Sequence, residues 1–198
     1  MSARWITTAL VLALALSGAA AAVDTAPMRT VEELHARFIG VMRQADSLGF
    51  EGRAELLSSA VDRAFDLDFM AIKSLGLGGR NLDSVDRERW VAAFSRFFVA
   101  NYARRFRSYS GQRFEFLRED PAPRGQVVVR SRLVRRDNED VRLDYRLRQT
   151  PDGWKIVDVY ALGTTSLLAI RRAEFTSVLE REGFEGLMAS VEAHAARR

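Results

Sequence analysis

The sequence predicts an α+β domain in which helices wrap one twisted, four-stranded antiparallel sheet. Two observations support this fold class. Before Ser110 the apolar residues recur at helical spacing, whereas over residues 113–161 they alternate with polar residues, as in strands with one covered face. The links between successive strands are short, which favours antiparallel pairing because a parallel pair needs a longer crossover. The helices before and after the strands are then the material that covers the sheet.

The first residues have the pattern of a secretory signal peptide. Arg4 supplies the positive charge, residues 6–16 the apolar run, and residues 20–22, all alanine, the small-residue cleavage site. The run is shorter than the roughly 20 residues that span a bilayer. The alternative is a retained N-terminal anchor. We therefore expect an exported protein with a cleaved signal over residues 1–22 and one domain over residues 23–198.

Four helices are predicted ahead of the strands, over residues 28–45, 51–65, 66–75 and 84–109. The first carries apolar residues at helical spacing, namely Val31, Leu34, Phe38, Val41 and Met42. A glycine-rich loop over residues 76–82 separates the third helix from the fourth. This loop lacks the preceding strand and the lysine of a phosphate-binding loop, so no nucleotide site is predicted there.

The fourth helix contains an aromatic series, in which every fourth residue is aromatic: Trp90, Phe94, Phe98, Tyr102 and Phe106. Because 3.6 residues make one helical turn, each step of four rotates the series by about 40°. The five rings therefore sweep a wide arc. One interpretation places all of them in the core, as is usual for aromatics. The other is that part of the arc lines a cavity.

Four strands follow, over residues 113–119, 126–135, 141–149 and 154–161. We expect Pro121 and Pro123 to keep residues 120–125 out of the ladder. In the third strand one face is apolar and must be covered, with Val141, Leu143, Tyr145 and Leu147. The other face is expected to be solvated and basic, with Arg142, Asp144, Arg146 and Arg148. After the fourth strand, a final helix is predicted from an N-cap at Ser166 to an end at Gly183.

The chemistry available to this chain is limited, and no enzyme is predicted. The sequence has no cysteine, so it has neither disulfides nor a thiol nucleophile. His35 and His194 are expected on polar helix faces and lack metal-ligand spacing, and no G-x-S-x-G motif is present. The net charge of +4 favours contact with anionic surfaces. Nucleic acid is not expected as a partner, because the aromatics and the arginines of the sheet fall on opposite faces.

Three segments resemble the MlaC or toluene-tolerance family. They are AFDLDFMAIKSLG at 64–76, ERWVAAFSRFFVANYARRFRSYSG at 88–111, and WKIVDVYALGTTSLLAIRRAEFTSVLEREGF at 154–184, and they occur in the family's order. Within and after the last, SLLAIRRAEF and GFEGLMAS are most similar to the hopanoid-associated branch. The resemblance implies a cone-shaped, NTF2-like sheet wrapped by helices. It also implies a monomeric periplasmic carrier without cofactors, which moves phospholipid between an outer-membrane lipoprotein complex and an inner-membrane ABC-type complex.

A cavity for the lipid tails is expected between the aromatic helix and the covered sheet face. The candidate lining residues are Met70, Phe94, Phe98, Tyr102, Val129, Leu143, Tyr145, Val157 and Val159. In the last strand, Ile156 and Tyr160 compete with Val157 and Val159 for the inward face. The cargo is phospholipid or a hopanoid-related lipid. The alternative from another class is an envelope scaffold, whose interior would be packed solid, whereas a carrier needs several hundred Å³ of apolar space.

Overall fold

The computed structural model describes residues 26–136 and 138–198, so the predicted signal peptide lies outside the described residues. The described chain forms five α-helices and five strands with one 3-10 turn, Gly78–Arg80. The helices are α1 (Ala26–Arg43), α2 (Ala45–Ala64), α3 (Leu67–Ser74), α4 (Ser84–Arg105) and α5 (Leu167–Ala196). The strands are β1 (Arg113–Ala122), β2 (Gln126–Val134), β3 (Val141–Thr150), β4 (Gly153–Ala161) and β5 (Thr165–Ser166).

The sheet has the order β1-β2-β3-β4-β5, and every neighbouring pair is antiparallel. The predicted α+β class and the antiparallel order are confirmed, but the count of four strands is wrong. The chain reverses at residues 162–164, so that Thr165 pairs with Ala161 and Ser166 with Tyr160. These two residues form a fifth, very short strand directly before α5.

Strand β1 is longer than predicted. The expectation that Pro121 stays out of the ladder is wrong, since this residue lies inside β1 and pairs with Val127. In the described part of the chain, β1 is an edge strand with β2 as its partner. An edge strand has one side without ladder hydrogen bonds, so a missing N–H on that side breaks none. The position of the strand in the sheet therefore permits a proline that would be excluded from a central strand.

The helix boundaries follow the capping signals at their starts more closely than at their ends. Asp66 caps α3 by accepting a hydrogen bond from the amide of Phe69 at 3.1 Å, and Asp83 caps α4 through the amide of Asp86 at 2.8 Å. Ser166 caps α5 as predicted. Gly183 does not end this helix: it has φ 70° and ψ −177°, and the helix resumes and continues to Ala196.

Helix α5 continues past Gly183 because its second half packs on α4. The apolar side chains after the kink are buried, namely Leu187, Met188 and Val191. Two ion pairs join the same helices at the surface, Arg89–Glu185 at 2.8 Å and Arg96–Glu192 at 3.2 Å. Glycine adopts positive φ without steric cost, so it allows the turn without preventing helical structure after it.

The core lies between the inner face of the sheet and the helices. It includes Trp90, whose indole Nε1 donates to the carbonyl of Ala71 at 2.8 Å. His35 also belongs to this core, so the prediction that it lies on a polar helix face is wrong. It follows Leu34 on the broad buried face of α1, and only 7% of its surface is exposed.

The outer face of the sheet is charged, as predicted, but it is not solvated throughout. Asp144 is fully buried, with its carboxylate 2.7 Å from Arg130 and 3.1 Å from Arg142. Arg130 also contacts Asp120 at 2.8 Å. Burying a carboxylate is costly unless it is paired, and these two arginines satisfy that requirement.

Candidate binding cavity

A cavity of about 490 Å³ lies between α4, the inner face of β2–β4 and the first turns of α5. Its floor and walls are apolar, with Phe38, Met42, Met70, Phe94, Phe97, Phe98, Tyr102, Phe106, Leu133, Val141, Leu143, Tyr145, Val159, Leu167, Leu168 and Ile170. Its remaining lining residues are polar or charged, with Asn101, Arg105, Ser108, Gln112, Arg135, Arg171 and Glu174. We call this second set the rim, because it includes exposed residues such as Arg105 and Ser108.

The aromatic helix forms one wall of the cavity. The ring centroids of successive members of the series lie close together, at 5.8 Å for Phe94–Phe98 and 5.2 Å for Phe98–Tyr102. Phe38 of α1 stacks on Tyr102 at 4.9 Å. Trp90 lies outside this wall and is completely buried in the core. The interpretation as core residues therefore holds for Trp90, whereas the other four members of the series line the cavity.

The sheet forms the opposite wall. Leu133 pairs with Val141, and Tyr145 pairs with Val159, so inward side chains of three adjacent strands meet. Tyr145 is buried, and its hydroxyl lies 3.1 Å from Nε2 of His35. Burial lowers the pKa of His35 to about 3, because the charged form cannot be solvated there, so the imidazole is neutral at physiological pH.

Seven of the nine predicted residues line this cavity: Met70, Phe94, Phe98, Tyr102, Leu143, Tyr145 and Val159. Val129 does not. It is fully buried and lines a smaller cavity of about 170 Å³, together with His35 and Phe114. Tyr145 stands opposite Val129 in the ladder, and its hydroxyl lies 3.1 Å from Nε2 of His35. Of this hydrogen-bonded pair, Tyr145 lines the larger cavity and His35 the smaller one.

Val157 does not line the cavity either, because β4 has an irregular register. Asp158 pairs with Arg146, but the next pair is Ile156 with Leu147, so Val157 is an extra residue in the ladder. The bulge interrupts the alternation of side chains. As a result Val159 lines the cavity, while Ile156 joins the buried core.

The start of α5 is hydrogen-bonded to Asp158 of β4 beside the cavity. Asp158 accepts hydrogen bonds from the hydroxyl of Ser166 at 2.6 Å and from the amide of Leu168 at 3.1 Å. The Ser166 hydroxyl in turn accepts from the amide of Ala169 at 2.9 Å. Burial raises the pKa of Asp158, and the hydrogen bonds to its carboxylate oppose that rise. This junction positions Leu167 and Leu168 against the cavity.

Sequence reasoning missed several lining residues. Phe97 falls outside the i+4 series, yet its ring contacts Phe175 at 5.5 Å and lies under the guanidinium of Arg171 at 5.1 Å. Leu167 and Leu168 of α5 were not identified from sequence, and Ile170 was identified only as an apolar residue of the final amphipathic helix. Phe38 and Met42 were identified only as core residues of the first helix. None of the rim residues was assigned to the cavity from sequence.

Nowhere in residues 26–136 and 138–198 do three or more His, Cys, Asp or Glu side chains form a group that could hold a metal ion. In the same part of the chain, none of the helices is both long and apolar enough to cross a membrane.

The fold and the cavity define a class: an α+β protein whose antiparallel sheet and helices surround a cavity that is apolar inside and charged at its rim. The chain belongs to the MlaC family, since the family model described as MlaC protein matches residues 32–193. This confirms the family resemblance of the three sequence segments. Membership of the hopanoid-associated branch stays a prediction.

A solved structure has the same fold. The phospholipid-binding protein from Ralstonia solanacearum, in complex with a phospholipid, superimposes with a TM-score of 0.73 at 21% sequence identity. The match covers 89% of this chain and 98% of that protein. No curated protein matches the sequence.

Proposed function

We propose that this protein is a periplasmic carrier that binds phospholipid acyl chains in the 490 Å³ cavity. Residues 1–22 direct export, and residues 23–198 form the lipid-binding domain. The protein carries lipid between an outer-membrane lipoprotein complex and an inner-membrane ABC-type complex. It acts as a monomer, requires no cofactor and catalyses no reaction. Family membership and the phospholipid bound to the Ralstonia protein support this proposal.

The observation that carries the proposal is the division of the cavity into an apolar interior and a charged rim. An acyl chain in water is costly: at about 0.8 kcal/mol per CH₂, exposing a 16-carbon chain costs on the order of 12 kcal/mol. The aromatic and aliphatic walls remove that exposure. The rim keeps a polar headgroup in contact with water and with charged side chains.

The size of the cavity fits one acyl chain. A volume of 490 Å³ corresponds to about 16 groups of the size of a water molecule, at about 30 Å³ each. A methylene group is of similar size, so one 16-carbon chain fills the space. A second chain requires the cavity to widen.

Native purification followed by lipid extraction and mass spectrometry tests the proposal. We expect the wild-type protein, isolated from the periplasm, to carry phospholipid. Leu143→Trp fills the cavity from the sheet side, and we expect it to carry at least tenfold less lipid while its circular dichroism and cooperative unfolding remain. Val85→Trp is the matched control, because Val85 is 64% exposed and does not line the cavity.

Two results would contradict the proposal: wild-type protein without extractable lipid, or a Leu143→Trp variant that carries as much lipid as wild type. The same spectra identify the cargo. A hopanoid in place of phospholipid would support the hopanoid-associated branch that the segments at 166–175 and 183–190 resemble. The scaffold alternative predicts a close-packed interior, which the cavity of 490 Å³ disfavours.

A further inference from the structure

The rim of the cavity has an excess of positive charge. Four of its described residues are charged: Arg105, Arg135, Arg171 and Glu174. They come from three separate parts of the chain: α4, the residue directly after β2, and the first turns of α5. An uncharged or zwitterionic headgroup has no need of such an excess, so the balance of charges at the rim bears on the kind of lipid that the cavity accepts.

The three arginines differ in how their charge is compensated. Arg171 forms an ion pair of 2.5 Å with Glu174, and its guanidinium lies over the ring of Phe97. Arg135 donates to the backbone carbonyl of Glu139 at 2.8 Å, and it contacts no carboxylate among the described residues. The Arg105 side chain forms neither a hydrogen bond nor an ion pair with another residue in the described part of the chain. Two of the three guanidinium charges are therefore available to an anion at the rim.

These charges lie next to the apolar walls, so a ligand with an apolar chain and a charged head can contact both at once. Arg105 lies one helical turn from Tyr102 and beside Phe106, both of which line the cavity. Arg135 lies directly after β2, two residues beyond the inward residue Leu133. A lipid whose chain fills the apolar interior places its phosphate at the level of these side chains. Guanidinium groups bind phosphate oxygens with two parallel hydrogen bonds and do not lose their charge.

We propose that Arg105 and Arg135 bind the phosphate of the cargo and select phospholipids with a net negative headgroup over zwitterionic ones. This rests on the proposed function, since it assumes that the cavity binds acyl chains. A phosphatidylglycerol headgroup presents one uncompensated negative charge to the two arginines. A phosphatidylcholine headgroup presents the same phosphate together with a trimethylammonium group, which the arginines repel.

Competition between two lipids with identical chains tests the selectivity, because the contribution of the chains then cancels. Delipidated protein is loaded with pyrene-labelled phosphatidylcholine, which is displaced by dioleoyl phosphatidylglycerol or dioleoyl phosphatidylcholine delivered by cyclodextrin. We expect phosphatidylglycerol to compete about tenfold better, because the trimethylammonium group of phosphatidylcholine offsets the attraction of each arginine, at about two- to fivefold for each partly exposed charge interaction. Raising the salt concentration should reduce this ratio, because exposed charges are screened.

The double variant Arg105→Gln/Arg135→Gln should bring the ratio close to one, because it weakens the binding of phosphatidylglycerol more than that of phosphatidylcholine. The matched control is Arg37→Gln/Arg87→Gln, which removes two exposed arginines that do not line the cavity. We expect this control to keep the wild-type ratio. Equal loss of the ratio in both double variants would show an effect of net charge alone and would overturn the assignment of the two rim residues.

Other outcomes separate this inference from the carrier proposal. If both lipids displace the probe equally well from wild type, the headgroup selectivity is overturned while acyl-chain binding stands. If neither lipid displaces it, or the probe does not bind, the carrier proposal itself fails. If inorganic phosphate at micromolar concentrations abolishes the preference, the arginines hold a free anion, and the headgroup assignment is overturned.

Discussion

At the scale of single residues, the His35–Tyr145 pair is the most informative polar feature of the interior. The His35 ring stacks on Phe114 with centroids 3.8 Å apart and shares a hydrogen bond with Tyr145. The sequence placed His35 on a surface, because a histidine next to Leu34 reads equally well as the edge of a polar helix face. Only the packing of α1 on the sheet decides between the two positions.

Burial of neutral His35 makes folding sensitive to acid. The folded pKa of about 3 lies below the ordinary value of 6.5, so between these values the unfolded chain binds more protons. Stability from this group is complete above pH 6.5 and is lost as the pH falls toward 3. Between pH 6.5 and 5 the loss amounts to about 2 kcal/mol.

His35→Gln removes the titrating group but keeps a hydrogen-bond partner for Tyr145. We expect the free energy of unfolding of wild type, measured by urea denaturation, to fall between pH 6.5 and 5 by about 2 kcal/mol more than that of the variant. His194→Gln is the comparison, because His194 is less buried and its removal should change the pH dependence less. Identical pH dependence in wild type and His35→Gln would contradict the assignment.

At the scale of elements, three hydrogen bonds hold the start of α5 in place: two to the carboxylate of Asp158 and one to the hydroxyl of Ser166. Its cap, Ser166, was predicted from sequence because the hydroxyl follows a strand and precedes a helical pattern. The end of the same helix was not, because Gly183 is equally compatible with a terminus and with a kink. The helix continues because Leu187 and Met188 are buried. This burial is a tertiary contact, which local sequence signals do not predict.

Ser166→Ala tests the junction between β4 and α5. The substitution removes the helix cap and leaves the buried carboxylate of Asp158 without the donor that now lies 2.6 Å away. We expect a loss of about 1–2 kcal/mol in the free energy of unfolding, measured by urea denaturation. Ser177→Ala is the matched control: Ser177 is exposed on the same helix and should change stability by less than about 0.5 kcal/mol. Equal losses in both variants would show that the junction contributes nothing specific.

At the scale of the whole molecule, the sequence predicted which layers enclose the cavity but not all of its lining. Helical spacing identified the aromatic wall, and strand alternation identified Leu143 and Tyr145. Alternation failed at Val157, because the bulge in β4 shifts the register. It also failed at Val129, which is fully buried and lines the smaller cavity beside His35. The rim depends on three elements that meet only in the folded molecule.

The proposed lipid binding fills an apolar cavity that is otherwise a stability cost, so lipid removal should destabilise the whole molecule. A ligand that binds only the folded state stabilises it by RT ln(1 + [L]/Kd), which is about 2.7 kcal/mol at a hundredfold excess over Kd. For a chain of this size, that corresponds to about 5–10 °C in the midpoint of thermal unfolding. Delipidated wild type should therefore melt that much lower than the lipid-loaded protein, as measured by differential scanning calorimetry. Leu143→Trp should show no such difference, because its indole occupies the space. The same shift in both proteins would mean that lipid binds outside the cavity.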